Sequence, residues 1–154
     1  MPAKPQGHDT SYMKMQKNNC FVCGQDNKDG MRLKFILDEP RQTFVCHFRL
    51  SSRYTGPPGH CHGGIIASIL DDAMGKVNKL RQVVALTREM TVEYLKPVPL
   101  HTSLRVEGHE IEVRGAKHIN AAEILNEKNE VLARSRGIFI EIDPEKMFAK
   151  HIER

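Results

Sequence analysis

The residue types that could do chemistry are concentrated in one short segment, residues 56–74. A loop rich in glycine and proline precedes the sequence His62-Gly63-Gly64, and Asp71 follows within a helical pattern. Free backbone N–H groups at the start of a helix can bind a carbonyl oxygen that is becoming negative. A carboxylate can activate a water molecule or attack directly. The combination indicates chemistry on an acyl group.

A long helix is predicted to carry these groups. From His62 to about Leu80, apolar residues recur with the period of an α-helix and form one broad stripe. No other segment predicts a long helix with equal clarity, and the stripe is wide enough for a core element. Its members are Ile65, Ile66, Ile69, Leu70, Ala73, Met74, Val77 and Leu80.

Alternating apolar and polar residues predict strands on both sides of this helix. One helix cannot cover both faces of a large antiparallel sheet. We therefore predict an α+β fold, in which a curved antiparallel sheet of five to six strands wraps around one long central helix. Such a sheet leaves an open edge, which favours dimerisation. The predicted strands cover residues 32–37, 43–48, 83–95, 103–113, 117–125 and 131–142.

The order of the elements predicts one domain, residues 19–143. Residues 1–18 show no periodicity and are expected to form a flexible N-terminal segment. Residues 144–154 form a C-terminal tail that could contain a short surface helix. A chain of 154 residues is an ordinary length for a single domain.

The segment His62-Gly63-Gly64, followed after six residues by Asp71, resembles the signature of hotdog-fold acyl-CoA thioesterases of the phenylacetyl-CoA thioesterase type. The resemblance covers about residues 19–142. It implies hydrolysis of an acyl-CoA or acyl-carrier thioester without a metal, by homodimers that often pair into tetramers. Further matching stretches are residues 20–33, 56–59, 87–99 and 123–137.

The resemblance also implies roles for single residues. The Gly63 N–H would polarise the thioester carbonyl, and His62 would orient that site. Asp71 would act as nucleophile or general base, and Thr87 takes the place of a hydroxyl residue that positions water. Asp72 is the alternate carboxylate.

The candidate substrate-binding residues are Gly64, Gly56, His60 and Asp72. Several relatives have an asparagine six residues before the histidine, where this chain has Gly56. Either another residue such as His60 takes the role of this asparagine, or the activity is lower or different.

Helix geometry separates the two halves of the motif. Nine residues from His62 to Asp71 correspond to a net half turn and a rise of about 13 Å. The two side chains therefore cannot act on one thioester within a single helix. We predict two composite sites per dimer, in which each His-Gly-Gly segment lies near Asp71 of the other copy. Four small residues, Gly64, Ala67, Ser68 and Gly75, would let a second helix approach closely.

Composition restricts the other classes of function. The net charge of +4 is mild, and no block of five Lys or Arg residues occurs, so a nucleic-acid partner is not expected. No apolar run reaches the roughly 20 residues of a membrane span. A polar N-terminus without a secretory core favours the cytoplasm. Two other functions stay open, a non-catalytic acyl-CoA-binding protein and an acyl-CoA hydratase or dehydratase.

The four cysteines are expected to be reduced. Cys20 and Cys23 form a CxxC pair that could ligate zinc if His60, Cys61 or Cys46 completed the site. A structural zinc normally needs four ligands, and only two are suitably spaced. We therefore expect no cofactor apart from coenzyme A as part of the substrate, with a zinc-structured interaction module as a further alternative.

Overall fold

The computed structural model describes residues 17–151 and shows a six-stranded antiparallel sheet packed on one long helix. The strand order is β1-β2-β4-β5-β6-β3, so β1 and β3 form the two edges. This confirms the predicted α+β class and its central helix. The strands are β1 (Ile36–Asp38), β2 (Thr43–Phe48), β3 (Val84–Tyr94), β4 (Leu104–Arg114), β5 (Lys117–Asn126) and β6 (Val131–Ile142).

The long helix, α1, covers Gly63–Val77 and continues into a 3-10 turn at Asn78–Arg81. Six of its residues are buried and face the sheet, as the apolar period predicts. Ile65 and Leu80, at the two ends of the predicted stripe, are only partly buried. A 3-10 turn at Ser52–Tyr54 precedes α1, and a short helix, α2 (Pro144–Phe148), follows the last strand.

The close approach of α1 to the sheet depends on Gly108 in β4. A Cβ atom at this position would lie 2.4 Å from the carbonyl oxygen of Ala73 in the helix. No side chain fits at that distance, so the helix backbone rests directly on the strand there. The position of α1 over the sheet is therefore set by a missing side chain as well as by apolar burial.

The first strand is shorter than the sequence pattern predicts. Arg32 has a positive φ of 52°, which breaks an extended conformation at that point. The N–H of Leu33 donates to the carbonyl oxygen of Val22 rather than to a strand of the sheet. Residues 31–33 therefore pair with the loop that contains Cys20 and Cys23, and only Ile36–Asp38 joins the sheet.

The predicted flexible N-terminal segment, residues 1–18, lies almost wholly outside the described residues. The short helix predicted in the C-terminal tail is present as α2. Asp143 caps it, since its carboxylate accepts from the N–H groups of Glu145 and Lys146. Between residues 17 and 151, no helix has the length and apolar character needed to span a membrane.

Candidate active site

His62 is the N-cap of α1. Its backbone is extended, and its Nδ1 accepts a hydrogen bond of 2.9 Å from the N–H of Gly64. The imidazole thus satisfies one of the free N–H groups at the helix start and holds its proton on Nε2 when neutral. A Cβ at Gly64 would lie 3.2 Å from this nitrogen, so a side chain there would press on the ring.

Gly63 is the first residue of α1, and its N–H has no acceptor in the part of the chain that the structure describes. The carbonyl oxygen of Gly63 accepts a hydrogen bond of 2.9 Å from the Tyr94 hydroxyl. The tyrosine ring lies 3.5 Å from the position that a Cβ of Gly63 would take. The helix start therefore offers one unused donor beside an aromatic side chain.

The loop before α1 is closed by its own backbone. The N–H of Gly56 donates to the carbonyl oxygen of His60, and the N–H of His60 donates to that of Pro57. His60 Nδ1 lies 2.9 Å from the carbonyl oxygen of Pro58, which holds the ring against the loop. A Cβ at Gly56 would lie 2.6 Å from the Cα of His62. An asparagine cannot occupy this position unless the loop changes shape.

Asp71 lies on α1, eight residues after Gly63, and is partly buried. The hydroxyl of Thr87 donates a hydrogen bond of 2.6 Å to its Oδ1. Thr87 stands at a β-bulge, because the register of β3 against β6 shifts between Thr87 and Glu89. Bulges redirect side chains, and this one lies where the strand meets the helical carboxylate.

Burial raises the pKa of Asp71, and the negative charge of Asp72 adds to the effect, whereas the hydrogen bond from Thr87 opposes it. A carboxylate with a raised pKa is more basic than an exposed one and is a better proton acceptor. The environment of Asp71 thus suits a general base or a nucleophile.

Gly63 and Asp71 both face the edge strand β3, one through Tyr94 and the other through Thr87. Eight residues of helix separate them by about 12 Å along the axis. The structure therefore brings each of these residues to the same sheet edge but does not bring the two together. Gly75, predicted to share a face with Asp71, points instead toward the Phe139 ring of β6.

Asp72 faces a different environment from its neighbour. Its Oδ1 accepts from the Cys20 thiol at 3.6 Å, and its Oδ2 lies 4.0 Å from the ammonium of Lys76. The same ammonium lies 2.9 Å from Cys23 Sγ. Asp72 therefore belongs to a cluster with the CxxC pair, on the flank of α1 away from Thr87.

Electrostatics within this cluster are strongly perturbed. The hydrogen bond with the Cys23 thiol lowers the pKa of Cys20 to about 4, although burial opposes the shift. The same bond raises the pKa of Cys23. Burial raises the pKa of Asp72 to about 6, against the attraction of Lys76.

Sequence reasoning missed two parts of this arrangement. Tyr94 looked like an ordinary residue of an alternating strand, and no spacing links it to Gly63. Lys76 follows Asp72 by one helical turn, a signal that pairs the two but does not reveal the thiols. Both contacts depend on how the loop and the edge strand pack against α1.

Comparison with known proteins shows what the chain is similar to. The family model described as Thioesterase superfamily matches residues 58–133, which include the loop, α1 and the strands that follow. The chain is 26% identical over 133 residues to acyl-coenzyme A thioesterase THEM4 of Rattus norvegicus, with 86% of this chain and 57% of that protein covered. The Mus musculus protein of the same name is 28% identical over 134 residues, with the same coverage of 86% and 57%. The chain thus spans somewhat over half the length of these curated relatives.

Solved structures share the fold. The thioesterase superfamily protein RHA08564 superimposes with a TM-score of 0.75 at 27% identity, covering 80% of this chain and 63% of that one. The E. coli PaaI protein gives a TM-score of 0.63 at 21% identity, covering 71% and 79%. A Streptococcus mutans protein bound to acetyl CoA gives 0.66 at 17% identity, covering 71% and 88%. Residues 58–133 therefore resemble the Thioesterase superfamily, and the arrangement of one long helix on an antiparallel sheet is that of the hotdog fold.

Proposed function

We propose that the chain hydrolyses acyl-CoA thioesters at a site built from the start of α1 and the Asp71 carboxylate. The observation that carries this proposal is the hydrogen bond from Thr87 to Asp71, which holds a partly buried carboxylate at the sheet edge. An unused N–H on Gly63 supplies the complementary donor. The fold alone would host several reactions, so these groups decide the reaction class.

The Gly63 N–H acts on the thioester carbonyl. As the carbonyl carbon is attacked, its oxygen gains negative charge, which a free N–H at the positive end of a helix dipole stabilises. His62 stabilises the start of α1, because its Nδ1 accepts the hydrogen bond from the Gly64 N–H. The Gly63 N–H is left free for the substrate. His62 is a positioning residue in this scheme.

Asp71 supplies the attacking group in one of two ways. As a general base it takes a proton from water, and the hydroxide adds to the carbonyl carbon. As a nucleophile it forms an anhydride that water then hydrolyses. In both routes the C–S bond breaks, CoA leaves as a thiolate that is protonated by solvent, and the acyl group leaves as a carboxylic acid.

Two copies of the chain complete each site. β3 is an edge strand of eleven residues, and Leu86 and Tyr94 on it are exposed by 41% and 54%. A long exposed edge with apolar side chains favours pairing with a second copy. An antiparallel arrangement about a two-fold axis brings Gly63 of one copy near Asp71 of the partner subunit, which overcomes their separation within one chain.

Coenzyme A is the favoured carrier of the acyl group. The curated relatives are named acyl-coenzyme A thioesterases, and the S. mutans neighbour binds acetyl CoA. The net charge of +4 suits the phosphates of this carrier. The four cysteines, Cys20, Cys23, Cys46 and Cys61, are all free, which fits the reducing cytoplasm.

The test is thiol release from a panel of acyl-CoAs that spans short, long and aromatic acyl groups. We expect at least one substrate to be cleaved, and we expect Asp71→Asn to lower kcat by roughly 10²- to 10⁴-fold. Glu112→Gln makes the same chemical change on a partly exposed carboxylate of β4, which pairs with Arg114 away from Asp71, and should leave the rate unchanged. One turnover in ¹⁸O-water places label in Asp71 only by the nucleophilic route with water attack on the aspartyl carbonyl of the anhydride, so a labelled Asp71 identifies that route.

The alternative functions give different results in the same assay. A non-catalytic binding protein would bind acyl-CoA without releasing thiol. A hydratase would consume enoyl-CoA and leave the thioester intact. An Asp72→Asn variant that loses activity while Asp71→Asn keeps it would move the catalytic role to the neighbouring carboxylate.

A further inference from the structure

The CxxC pair and Asp72 form a group of ligand atoms outside the proposed active site. One ligand atom from each of Cys20, Cys23 and Asp72 lies within 4.8 Å of the other two. The thiols come from the N-terminal loop and the carboxylate from α1, about fifty residues later in the sequence. We propose that these three residues bind a zinc ion, which fastens the loop to the central helix.

A buried carboxylate oxygen in this cluster is free to bind a cation. Asp72 Oδ2 is buried and has no hydrogen-bond partner in the described part of the chain. The nearest positive charge, the ammonium of Lys76, is 4.0 Å away. A buried carboxylate oxygen without a partner is costly, and a metal bond would satisfy it.

The loop is already shaped to present both thiols. The N–H of Gly24 donates to the carbonyl oxygen of Cys20 at 2.9 Å, which closes a tight turn over the CxxC sequence. A Cβ at Gly24 would lie 2.4 Å from the Cys20 nitrogen, so this turn requires glycine. The pairing of Leu33 with Val22 fixes the other side of the loop. The two sulfur atoms are therefore held together before a metal binds.

Charge balance favours a divalent ion. Two thiolates and one carboxylate carry three negative charges, which Zn²⁺ and the Lys76 ammonium together neutralise. Lys76 Nζ lies 2.9 Å from Cys23 Sγ and can keep donating to the sulfur after the metal binds. Such outer hydrogen bonds to a metal-bound thiolate orient the ligand.

Zinc is the ion that these ligands suit best. It accepts cysteine sulfur and aspartate oxygen in tetrahedral sites, and thiolates favour it over magnesium or calcium. Three protein ligands leave a fourth position for water, which can enter because Cys20 is partly exposed. Binding releases to solvent any proton that the two cysteines still carry and changes no oxidation state. The third ligand comes from a distant helix, which is why the spacing of the cysteines alone argues against a site.

The first test uses the reduced wild-type protein. Purified protein is stripped with a chelator and titrated with Zn²⁺ or Co²⁺, and the bound metal is measured by elemental analysis. We expect about one metal per chain, with cobalt giving a thiolate-to-metal charge-transfer band. Alkylation followed by peptide mass spectrometry should show protection of Cys20 and Cys23 by zinc, whereas zinc should not change the labelling of Cys46 and Cys61.

Variants then test the third ligand. Asp72→Asn should weaken zinc binding by at least roughly tenfold, since it removes a charged ligand. Cys61→Ala replaces a buried cysteine outside the cluster and should bind zinc like the wild type. Stoichiometric binding that survives Asp72→Asn would overturn the three-residue site. Absence of metal binding and of zinc protection in the reduced wild type would overturn the proposal, even if the variants do not fold.

Discussion

The Thr87 hydroxyl donates a 2.6 Å hydrogen bond to Asp71, and this contact joins the central helix to the edge strand of the sheet. Thr87 is on the exposed strand, whereas Asp71 is partly buried in the helix. The carboxylate is thereby held at the boundary between the core and the surface that we assign to the partner subunit. The orientation of Asp71 depends on this strand, and several expectations follow from the pair.

Replacing Thr87 by valine should lower kcat/KM by roughly 10- to 100-fold, because a hydrogen bond to a charged group contributes about 1.5–3 kcal/mol. Thr91→Val makes the same change four residues along β3, at an exposed position, and serves as the control. Steady-state thiol release measures both. Equal rates for the Thr87 and Thr91 variants would show that the hydroxyl does not support Asp71.

The pH dependence of kcat/KM should report the raised pKa of Asp71. Burial is the main cause of the shift, so the active ionised form is lost at a pH above the ordinary aspartate value of 3.8. Activity should therefore fall on acidification at a higher pH than an exposed carboxylate would give. Because the hydrogen bond from Thr87 lowers this pKa, Thr87→Val should move the acid limb further upward. A downward movement would contradict the assignment.

Gly63→Pro removes the proposed donor without opposing the helix. Proline is favoured at the first helical position, and His62 has the extended backbone that must precede it. We expect kcat to fall by roughly 10²- to 10³-fold, as for the loss of one oxyanion donor. Gly63→Ala keeps the N–H, and its Cβ makes only an ordinary 3.5 Å contact with Tyr94. The kcat of Gly63→Ala should therefore stay close to the wild-type value. Circular dichroism should show that both variants are folded.

Mixing two inactive variants tests whether the sites are shared between subunits. A heterodimer of Gly63→Pro with Asp71→Asn has one site with both groups intact and one site with neither. After subunits exchange in an equal mixture, activity should recover to about a quarter of the wild-type value per chain, because half of the dimers are mixed. If each site lay within one chain, the mixture would stay inactive.

Asp71→Asn should raise stability at neutral pH while it lowers activity. The pKa of Asp71 is raised in the folded state, so the folded protein binds the proton more tightly than the unfolded chain. Stability is therefore lost as pH rises from the unfolded value through the folded pKa, and the cost is fully present above it. Thermal unfolding should show a higher Tm for the variant at pH 7, with the difference disappearing at low pH.

Much of the fold could be predicted from periodicity. The apolar stripe of α1 and the alternating strands after it left one sensible layout, and the structure agrees with it. The predicted start of the first strand was wrong, because residues 33–35 alternate like a strand but lie outside the sheet. A left-handed residue, Arg32, and pairing with the Cys20–Cys23 loop decide that stretch, and neither has a local signature.

The candidate site was only partly predictable. Short-range spacing identified Asp71 and the helix-opening glycines, because those residues share one element. The family resemblance implies that Thr87 positions water, but it does not predict the contact between Thr87 and Asp71, since a lone strand threonine carries no such signal. Tyr94 and the cluster around Asp72 depend on which elements pack together. Gly56 was interpreted as a missing amide, whereas its Cβ position shows that the loop has no room for one.

Gly108 also governs the distance between Asp71 and Thr87 from the far side of the helix. The backbone of Ala73 rests on this glycine, and Ala73 is only two residues from Asp71. A methyl group at position 108 would push this turn of α1 away from β4. The Asp71 carboxylate would then change its orientation relative to the edge strand β3. Gly108 contacts neither the substrate nor the Asp71 carboxylate, yet it determines where that carboxylate lies relative to Thr87.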